Sequence, residues 1–283
     1  RRKVKKEQYE TPCIRPDENG IPMLYVQGEP FLMLGGELHN SASSSLEHME
    51  KEVWPWLRPL GLNTVILPVA WESIEPEEGV FDFSLVKGLL EQARREKVRL
   101  VILWFGLWKN GESFYVPSWV KADDSRFFRA CLSPQSPCNT ISLLCEEAVE
   151  ADRRAFSRLM DYLREEDGEE NTVIMVQVEN ESGLLGAERD YSEAALAAYE
   201  EQVPEVIRKL YGVQGSWREA LGADGPEYFM AYHYARAVER IASGGKEKYP
   251  LPMYVNAWLE QHPDRPGVYP SVGPVGKLVP LWK

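Results

Sequence analysis

A short apolar segment that ends abruptly in polar residues constrains this chain more than any other feature. Residues 172–183 read TVIMVQVENESG, so a run rich in β-branched side chains passes directly into Glu179, Asn180 and Glu181. Such runs are typical of strands buried on both faces of a parallel sheet. Burying carboxyl and amide groups is costly unless they are satisfied. The segment predicts a buried strand with a functional carboxyl end, although a strand that simply reaches solvent gives the same pattern.

The composition is that of an ordinary globular protein with room for one large α/β domain. The chain has 283 residues, of which 44% are hydrophobic and 27% are charged, and its formal net charge is −12. An acidic chain of this kind does not suit nucleic acid or an anionic membrane surface, so neither is expected as a partner. The basic cluster in residues 1–6 is interpreted as a solvated tail.

Membrane and export signals are weak. No apolar run approaches the roughly 20 residues of a membrane span, and the start lacks the apolar core of a signal peptide. This favours the cytoplasm, while the absence of an initiator Met leaves a removed leader, and hence secretion, open. The four cysteines lack the pairing and companion histidines of a zinc site, and free thiols are favoured over one loop disulfide.

Strand-like and helix-like patterns alternate along the chain. After a hairpin over 23–34, strands are predicted at 31–36, 63–70, 98–105, 173–178 and 251–259, and helices at 46–60, from about 84, at 145–164, 191–211 and 227–242. Alternation of this kind calls for a parallel sheet. The predicted fold class is α/β, a (β/α)₈ TIM barrel with about the first five units present. We expect a polar lead-in over 1–20 and one barrel domain over 21–283, incomplete at its carboxyl end.

Three local signals refine this scheme. Pro55 lies inside the first helical pattern and predicts a kink or a split. Gly244 and Gly245 are interpreted as the end of the last helix. The segment after residue 105 is predicted as a long aromatic loop, with Trp108, Asn110 and Tyr115 in the wall of a binding site.

Polar or aromatic residues follow each predicted strand, where a barrel has its active site. They are Glu37, His39 and Asn40; Trp71, Glu72 and Glu75; Trp104 and Trp108; Gln177 to Glu181; and Asn256, Trp258 and Glu260. The sequence lacks a glycine-rich phosphate loop, an H-E-x-x-H helix and a serine nucleophile elbow. Carboxylates and aromatics in their place indicate glycoside hydrolysis, which needs two carboxyl groups and no cofactor.

The motif VQVENESG resembles the fourth-strand motif of clan A glycoside hydrolases and is particularly similar to that of family 35 β-galactosidases. In that family an Asn-Glu pair ends the strand. The resemblance implies that Asn180 binds the sugar 2-hydroxyl and that Glu181 is the general acid/base. It makes Glu179, one position earlier, a supporting or substrate-binding carboxylate.

Other segments extend the resemblance over about residues 21–283. GLNTVILPVAWESIEPEEGVFDF looks like a second-strand signature shared by families 35 and 42, and LGGELHN takes the place of the first-strand motif while departing from it in sequence. NAWLEQ and YPSVGPV look like a family 35-like subgroup. The resemblance implies a retaining, exo-acting β-galactosidase acting on a carbohydrate substrate. Further sugar contacts are expected from Glu37, Asn40, Trp71, Glu75 and Asn256.

One departure from the family pattern leaves alternatives open. Clan A enzymes carry a nucleophilic glutamate at the end of the seventh strand, and no segment here resembles that motif. We expect the nucleophile on a later strand outside this sequence, so a complementing carboxyl-terminal segment or a homo-oligomer is a conceivable partner. The alternatives are another clan A β-glycosidase, such as a β-glucosidase or β-mannosidase, and a non-catalytic carbohydrate-binding barrel without the nucleophile.

Overall fold

A curled parallel sheet is the centre of the structure, a computed structural model that describes residues 10–258. The strands are β1 (Cys13–Pro16), β2 (Pro22–Val26), β3 (Glu29–Pro30), β4 (Gly35–Glu37), β5 (Thr64–Ala70), β6 (Arg99–Lys109), β7 (Arg129–Ser133), β8 (Ser136–Ile141), β9 (Val173–Asn180) and β10 (Met253–Asn256). The helices are α1 (Leu46–His48), α2 (Trp54–Leu57), α3 (Trp71–Ile74), α4 (Ser84–Glu96), α5 (Ser118–Lys121), α6 (Glu146–Asp167), α7 (Glu193–Glu200), α8 (Glu205–Tyr211), α9 (Trp217–Leu221) and α10 (Gly225–Lys246).

The parallel sheet has the strand order β4-β5-β6-β9-β10. Each strand runs parallel to its neighbours, and neighbours in the sheet follow one another along the chain apart from the β7–β8 hairpin. Strands joined in this way through helices form the first five units of a (β/α)₈ barrel. The predicted fold class is therefore confirmed.

One face of the sheet carries the helices. Alternate residues of β5 and β6 belong to a core that the helices complete; they are Val65, Leu67, Val69, Leu100, Ile102 and Trp104. In α4 the buried residues Val86, Leu89, Leu90 and Ala93 recur at helical spacing and form the stripe that meets the sheet. Asp82 accepts a 2.8 Å hydrogen bond from the N–H of Ser84 where this helix begins.

The other, inner face is covered near the amino ends of its strands. Leu24 and Val26 of β2 pack against Val101 and Ile174, so the antiparallel sheet β1-β2-β3 closes that end. Part of the predicted polar lead-in is therefore a strand, β1. The carboxyl ends of the parallel strands lie at the opposite end, where a barrel has its active site.

Of two helical predictions, one is confirmed and one needs correction. Residues 46–60 are helical throughout, and the helix is divided as Pro55 predicts: a π-helical turn at Met49–Val53 is followed by α2, whose second residue is Pro55, which cannot supply an N–H. The pattern at 191–211 is two helices, α7 and α8, because Pro204 begins a new one.

The prediction that the glycine pair ends the last helix is wrong. Gly244 and Gly245 lie inside α10, which continues to Lys246. A Cβ on Gly245 would come within 2.3 Å of the Phe156 ring, and one on Gly244 within 2.7 Å of Arg153. The two glycines therefore allow α10 to approach α6 closely, which a sequence pattern alone does not distinguish from a helix end.

The predicted aromatic loop after residue 105 is also corrected. Strand β6 continues to Lys109, and its Trp104 and Trp108 are buried rather than lining an open wall. The indole N–H of Trp108 donates a 3.0 Å hydrogen bond to the carbonyl of Ile141 in β8. The β7–β8 hairpin, in a segment predicted as loop, thus covers the outer side of β6.

Three further observations complete the description. No helix within residues 10–258 has the length and apolarity needed to cross a membrane. All four cysteines are free thiols. The end of the predicted fifth strand, Glu260 and the basic residues at 1–6 lie outside the described residues.

Candidate active site

The ends of β6 and β9 do not pair residue for residue. Trp104 pairs with Val178, and the next pair is Lys109 with Asn180, so β6 forms a wide bulge between these two points. The N–H groups of Leu107 and Trp108 are thereby withdrawn from the sheet. Buried N–H groups need other acceptors.

Two buried carboxyl groups supply those acceptors. Glu179 accepts hydrogen bonds from the N–H of Trp108 at 2.7 Å and of Leu107 at 3.2 Å. Asp152 of α6 accepts from the N–H of Leu107 and from the indole N–H of Trp104, both at 2.8 Å. Their side chains are almost fully enclosed, since Glu179 is 1% and Asp152 0% exposed.

The absence of a side chain at Gly106 makes room for this pair. A Cβ there would lie 2.2 Å from Oδ2 of Asp152 and 2.3 Å from Oε1 of Glu179. Burial, followed by the adjacent Asp152, raises the pKa of Glu179 well above its usual value. Burial and the adjacent carboxyl group thus both favour the uncharged form of Glu179.

The backbone at the end of β9 reverses the expected alternation of side chains. Val176 and Val178 lie in the helix-side core, so strict alternation places Glu179 on the inner face beside Gln177. Glu179 instead has a φ of 60°, in the left-handed region, and Glu181 has a φ of 51°. This turn directs Glu179 towards α6 and brings Asn180 to the inner face.

The side-chain amide of Asn180 is held by amides from three strand ends. Its oxygen accepts 3.0 Å hydrogen bonds from Gln177 and from Asn256. Its nitrogen donates to the side-chain oxygen of Asn110 at 3.1 Å. The two groups that contact this oxygen are NH₂ groups, which can only donate. The amide of Asn180 must therefore point its oxygen towards them, and its nitrogen faces the inner side of the sheet.

A nearly buried lysine completes this network. Lys109 is 9% exposed, and its ammonium donates to the side-chain oxygen of Asn110 at 2.6 Å. Burial lowers the pKa of Lys109, while the negative charges of Glu181 and Glu37 act in the opposite direction. The ammonium and these two carboxylates therefore share one electrostatic environment at the carboxyl ends of β4, β6 and β9.

Glu181 has a fixed backbone and a half-buried side chain. Its N–H donates to the carbonyl of Asn256 at 2.8 Å, and its carbonyl accepts from the N–H of Gly111 at 3.0 Å. The same carbonyl accepts a hydrogen bond from the indole of Trp258. Bonds from both neighbouring strand ends thus stabilise the left-handed backbone conformation of Glu181.

The other predicted site residues divide into two groups. Glu37 is exposed at the end of β4, Asn40 is half-buried in the following segment, and Asn256 belongs to the amide network. Trp71 and Glu75, in contrast, are 0% and 5% exposed and bind each other through a 2.6 Å hydrogen bond from the indole to the carboxylate.

Trp71 and Glu75 are therefore buried, whereas the sequence predicts that they contact the sugar. Trp71 packs edge-on against Trp119, and the carboxylate of Glu75 also accepts from the N–H of Gly79 at 2.8 Å. Burial raises the pKa of Glu75. Trp71 is the first residue of α3 and Glu75 directly follows that helix, and both side chains lie beneath the surface. Glu179 was predicted either to support the site or to contact the sugar. Its side chain is enclosed by protein, which agrees with a supporting role.

Sequence reasoning missed Asp152 and Lys109, and it named Asn110 only as part of the predicted binding wall. Asp152 lies on the same stripe of α6 as the buried Val149 and Phe156. An acidic residue inside an apolar stripe is a usable signal, because a carboxylate is rarely buried without a partner. Lys109 and Asn110 fell in the segment predicted as loop.

A sizeable groove lies away from this site. It has a volume of about 1000 Å³, between the β7–β8 hairpin and the start of α7, and its lining includes Phe128, Cys131, Pro137 and Tyr191. None of the predicted site residues lines it. Within residues 10–258 no three His, Cys, Asp or Glu side chains are grouped as metal ligands.

The site at the strand ends offers hydroxyl-binding and proton-transferring groups. Fixed amide donors, an ammonium group and a half-exposed carboxyl group lie together at the end of the sheet where barrels bind substrates. Amides and charged groups of this kind bind sugar hydroxyls, and a carboxyl group can protonate a glycosidic oxygen.

Comparison with known proteins gives three kinds of match. Residues 46–224 match the profile of glycoside hydrolase family 42, described as beta-galactosidase. Beta-galactosidase-1-like protein 3 of Homo sapiens is 29% identical over 187 residues, which are 61% of this chain and 25% of that protein. The chain thus spans about a quarter of this relative's length.

Solved structures with low sequence identity share the fold. The beta-galactosidase of Bacillus circulans sp. alkalophilus has a TM-score of 0.60 at 12% identity, covering 80% of this chain and 36% of that chain. The cold-adapted beta-galactosidase of Rahnella sp. R3 has a TM-score of 0.57 at 15% identity, covering 88% and 38%. The catalytic domain of a Paenibacillus polymyxa beta-amylase has a TM-score of 0.55 at 12% identity, covering 88% and 73%.

Proposed function

Because this chain belongs to glycoside hydrolase family 42, the beta-galactosidase family, we propose that it carries the acid/base part of a retaining, exo-acting β-galactosidase. Its substrate is a carbohydrate with a terminal β-galactosyl residue. We also propose that the chain is particularly similar to family 35, as the fourth-strand motif suggests.

One observation carries the proposal: the fixed amide of Asn180 lies directly beside the half-exposed Glu181. The oxygen of Asn180 is occupied by Gln177 and Asn256, so the group that it offers to a ligand is an N–H. That donor suits the sugar 2-hydroxyl, the ligand implied for Asn180 by the family motif. Hydrogen bonds to this hydroxyl strengthen in the transition state of glycoside hydrolysis.

The proposed reaction uses Glu181 twice. In the first step its protonated carboxyl group gives a proton to the glycosidic oxygen, and the leaving alcohol departs as a second carboxylate bonds to the anomeric carbon. In the second step Glu181 accepts a proton from water as the water oxygen displaces that carboxylate. Retaining enzymes hold the two carboxyl groups about 5–5.5 Å apart. We propose that the second is a glutamate on a further barrel strand.

The remaining residues receive narrower parts. Glu37 and Asn40 are proposed as sugar contacts, since both lie at the carboxyl end of β4 and Glu37 shares the environment of Lys109. Asn256 orients Asn180 and borders the sugar site. Trp71, Glu75 and Glu179 support the strand ends from behind.

The test is hydrolysis of nitrophenyl glycosides by the complete protein. We expect turnover of the β-galactoside at a higher kcat/KM than of the β-glucoside or β-mannoside, with the β-anomer of galactose formed first in proton NMR spectra. Preference for another sugar would contradict the galactosidase assignment, and first formation of the α-anomer would contradict retention. Binding of galactose without any turnover would favour a carbohydrate-binding protein.

A further inference from the structure

The hydrogen bonds of the Asp152–Glu179 pair distinguish its four carboxyl oxygens by whether each has a close N–H donor. Both oxygens of Asp152 accept an N–H at 2.8 Å, and Oε2 of Glu179 accepts one at 2.7 Å. Oε1 of Glu179 has only a longer contact, 3.2 Å, to the Leu107 N–H that Asp152 already engages. Oε1 of Glu179 is therefore the oxygen in the pair that is free to carry a hydrogen.

The surroundings of the pair disfavour a second negative charge. Oδ2 of Asp152 and Oε1 of Glu179 both lie within 2.3 Å of the point where a Cβ of Gly106 would be, so they are adjacent. Among the described residues, neither carboxyl group has an ion pair with Lys, Arg or His. Glu75 and the buried Tyr234 of α10 also interact with the pair, and neither supplies positive charge. Adjacent buried carboxyl groups do not both ionise near neutral pH.

We propose that Glu179 is a neutral carboxylic acid whose proton is hydrogen-bonded to Asp152, and that it acts through this bond as a positioning residue for Asn180 and Glu181. The proposal rests on the proposed function because it takes Glu181 as the acid/base. Burial and the neighbouring Asp152, which raise the pKa of Glu179, agree with a neutral carboxyl group.

The positioning follows from where the pair is attached. The bond to Asp152 holds the Glu179 side chain on the helix side, and this fixes the left-handed backbone that turns Asn180 inward. The pair also binds the bulge of β6 through Leu107 and Trp108. That bulge leads directly to Lys109 and Asn110. Loss of the shared proton would place two repelling carboxylates behind the site and release both strand ends.

The structure predicts opposite effects for two similar substitutions. In Glu179→Gln the amide N–H replaces the O–H and donates to Asp152, while the amide oxygen still accepts from Trp108. In Asp152→Asn the new NH₂ group must face the N–H of either Trp104 or Leu107, since both oxygens of Asp152 are acceptors. We expect Glu179→Gln to retain activity within about tenfold and Asp152→Asn to lose about 100-fold or more, or to fail to fold.

Infrared spectroscopy of the complete protein tests the protonation state without using activity. We expect a carbonyl band of a protonated carboxyl group at neutral pH in the wild type and its loss in Glu179→Gln. Glu188→Gln is the matched control, because Glu188 is half-buried and bonded to the Tyr191 hydroxyl at 2.7 Å. An identical spectrum for wild type and Glu179→Gln would overturn the neutral carboxyl group, whether or not the protein hydrolyses galactosides.

The pH profile tests the positioning role. We expect the alkaline loss of kcat to be less steep in Glu179→Gln than in the wild type, because Glu181 is then the one residue of the two that can still lose a proton. Superimposable profiles would overturn the positioning role even if the infrared band is found. If the protein has no hydrolytic activity, sugar affinity measured by calorimetry across the same pH range replaces kcat, with the same expected difference. An affinity with the same pH dependence in both proteins would overturn it.

Discussion

The side-chain nitrogen of Asn180 donates a 3.1 Å hydrogen bond to the side-chain oxygen of Asn110, joining the ends of β9 and β6. The same Asn110 oxygen accepts from the ammonium of Lys109 at 2.6 Å. The side-chain oxygen of Asn110 thus links Asn180, which precedes Glu181 in the chain, to the nearly buried ammonium of Lys109. The candidate site is built on strand ends, which hold side chains more rigidly than loops do.

Asn180→Ala tests the proposed contact with the sugar 2-hydroxyl. We expect a decrease in kcat/KM of about 100-fold or more on a nitrophenyl β-galactoside, since bonds to this hydroxyl supply several kcal/mol in the transition state. On the 2-deoxy substrate the variant and the wild type should differ by less than about tenfold. An equal loss on both substrates would assign Asn180 a role other than binding that hydroxyl.

Lys109→Met tests the charged end of the network. Met keeps the apolar stem that packs near Phe105, whose ring centroid is 5.1 Å from the ammonium, but removes the bond to Asn110. We expect kcat/KM to decrease by about 10–100-fold, because small displacements of aligned groups cost about this much. Lys121→Met, which removes an exposed lysine paired with Glu72, is the control and should retain wild-type kinetics.

Gly245→Ala tests the close packing of α10 on α6. The new Cβ would lie 2.3 Å from the Phe156 ring, so we expect the free energy of unfolding to decrease by about 1–3 kcal/mol. Gly88→Ala in α4 is the matched control, because its Cβ meets only the side chain of Leu46, which can move. Denaturant titrations in which Gly88→Ala loses more stability than Gly245→Ala would contradict this account of the glycine pair.

His233→Phe tests a buried imidazole in α10. Burial, and then the charge of Arg236, lowers the pKa of His233 from 6.5 to about 4. A lowered pKa in the folded protein means that stability is present above pH 6.5 and is lost as the pH falls towards 4, because the unfolded chain takes up the proton first. The loss due to this group is at most about 3 kcal/mol.

Phe keeps a ring against Phe229, whose centroid is 4.6 Å from that of His233, but cannot take up a proton. The variant should therefore lose less stability than the wild type between pH 7 and pH 4, as measured by denaturant titration at each pH. Replacement of the exposed His48 by Gln serves as the control. Parallel stability curves for the wild type and His233→Phe would contradict the buried, neutral imidazole.

The sequence predicted the elements whose pattern is local. The strand expected at 63–70 is Thr64–Ala70, and the strand expected at 173–178 is β9, which ends at Asn180. Both are continuous apolar runs between polar segments, which is a strong local signal. The expected clan A glycoside hydrolase is confirmed by the family 42 match, while family 35 in particular stays a prediction.

The faces of the critical residues were not predictable from the strand pattern. Alternation in β9 places Glu179 in the site and Asn180 behind it, and the structure shows the reverse because Glu179 has a φ of 60°. That conformation depends on Asp152, 27 positions earlier in the chain, and on the gap at Gly106. Only the family resemblance indicated that Asn180 faces the substrate.

Glu181→Gln, measured on two galactosides, tests the central claim most directly. General-acid catalysis contributes about 10²–10⁴-fold where the leaving group needs a proton. We predict a loss of that size in the first-step rate on an alkyl β-galactoside and a much smaller first-step loss on a dinitrophenyl β-galactoside, whose leaving group needs no proton. The exposed Glu201→Gln is the control and should match the wild type. An equal, small loss on both substrates would contradict the assignment of Glu181 as the general acid/base.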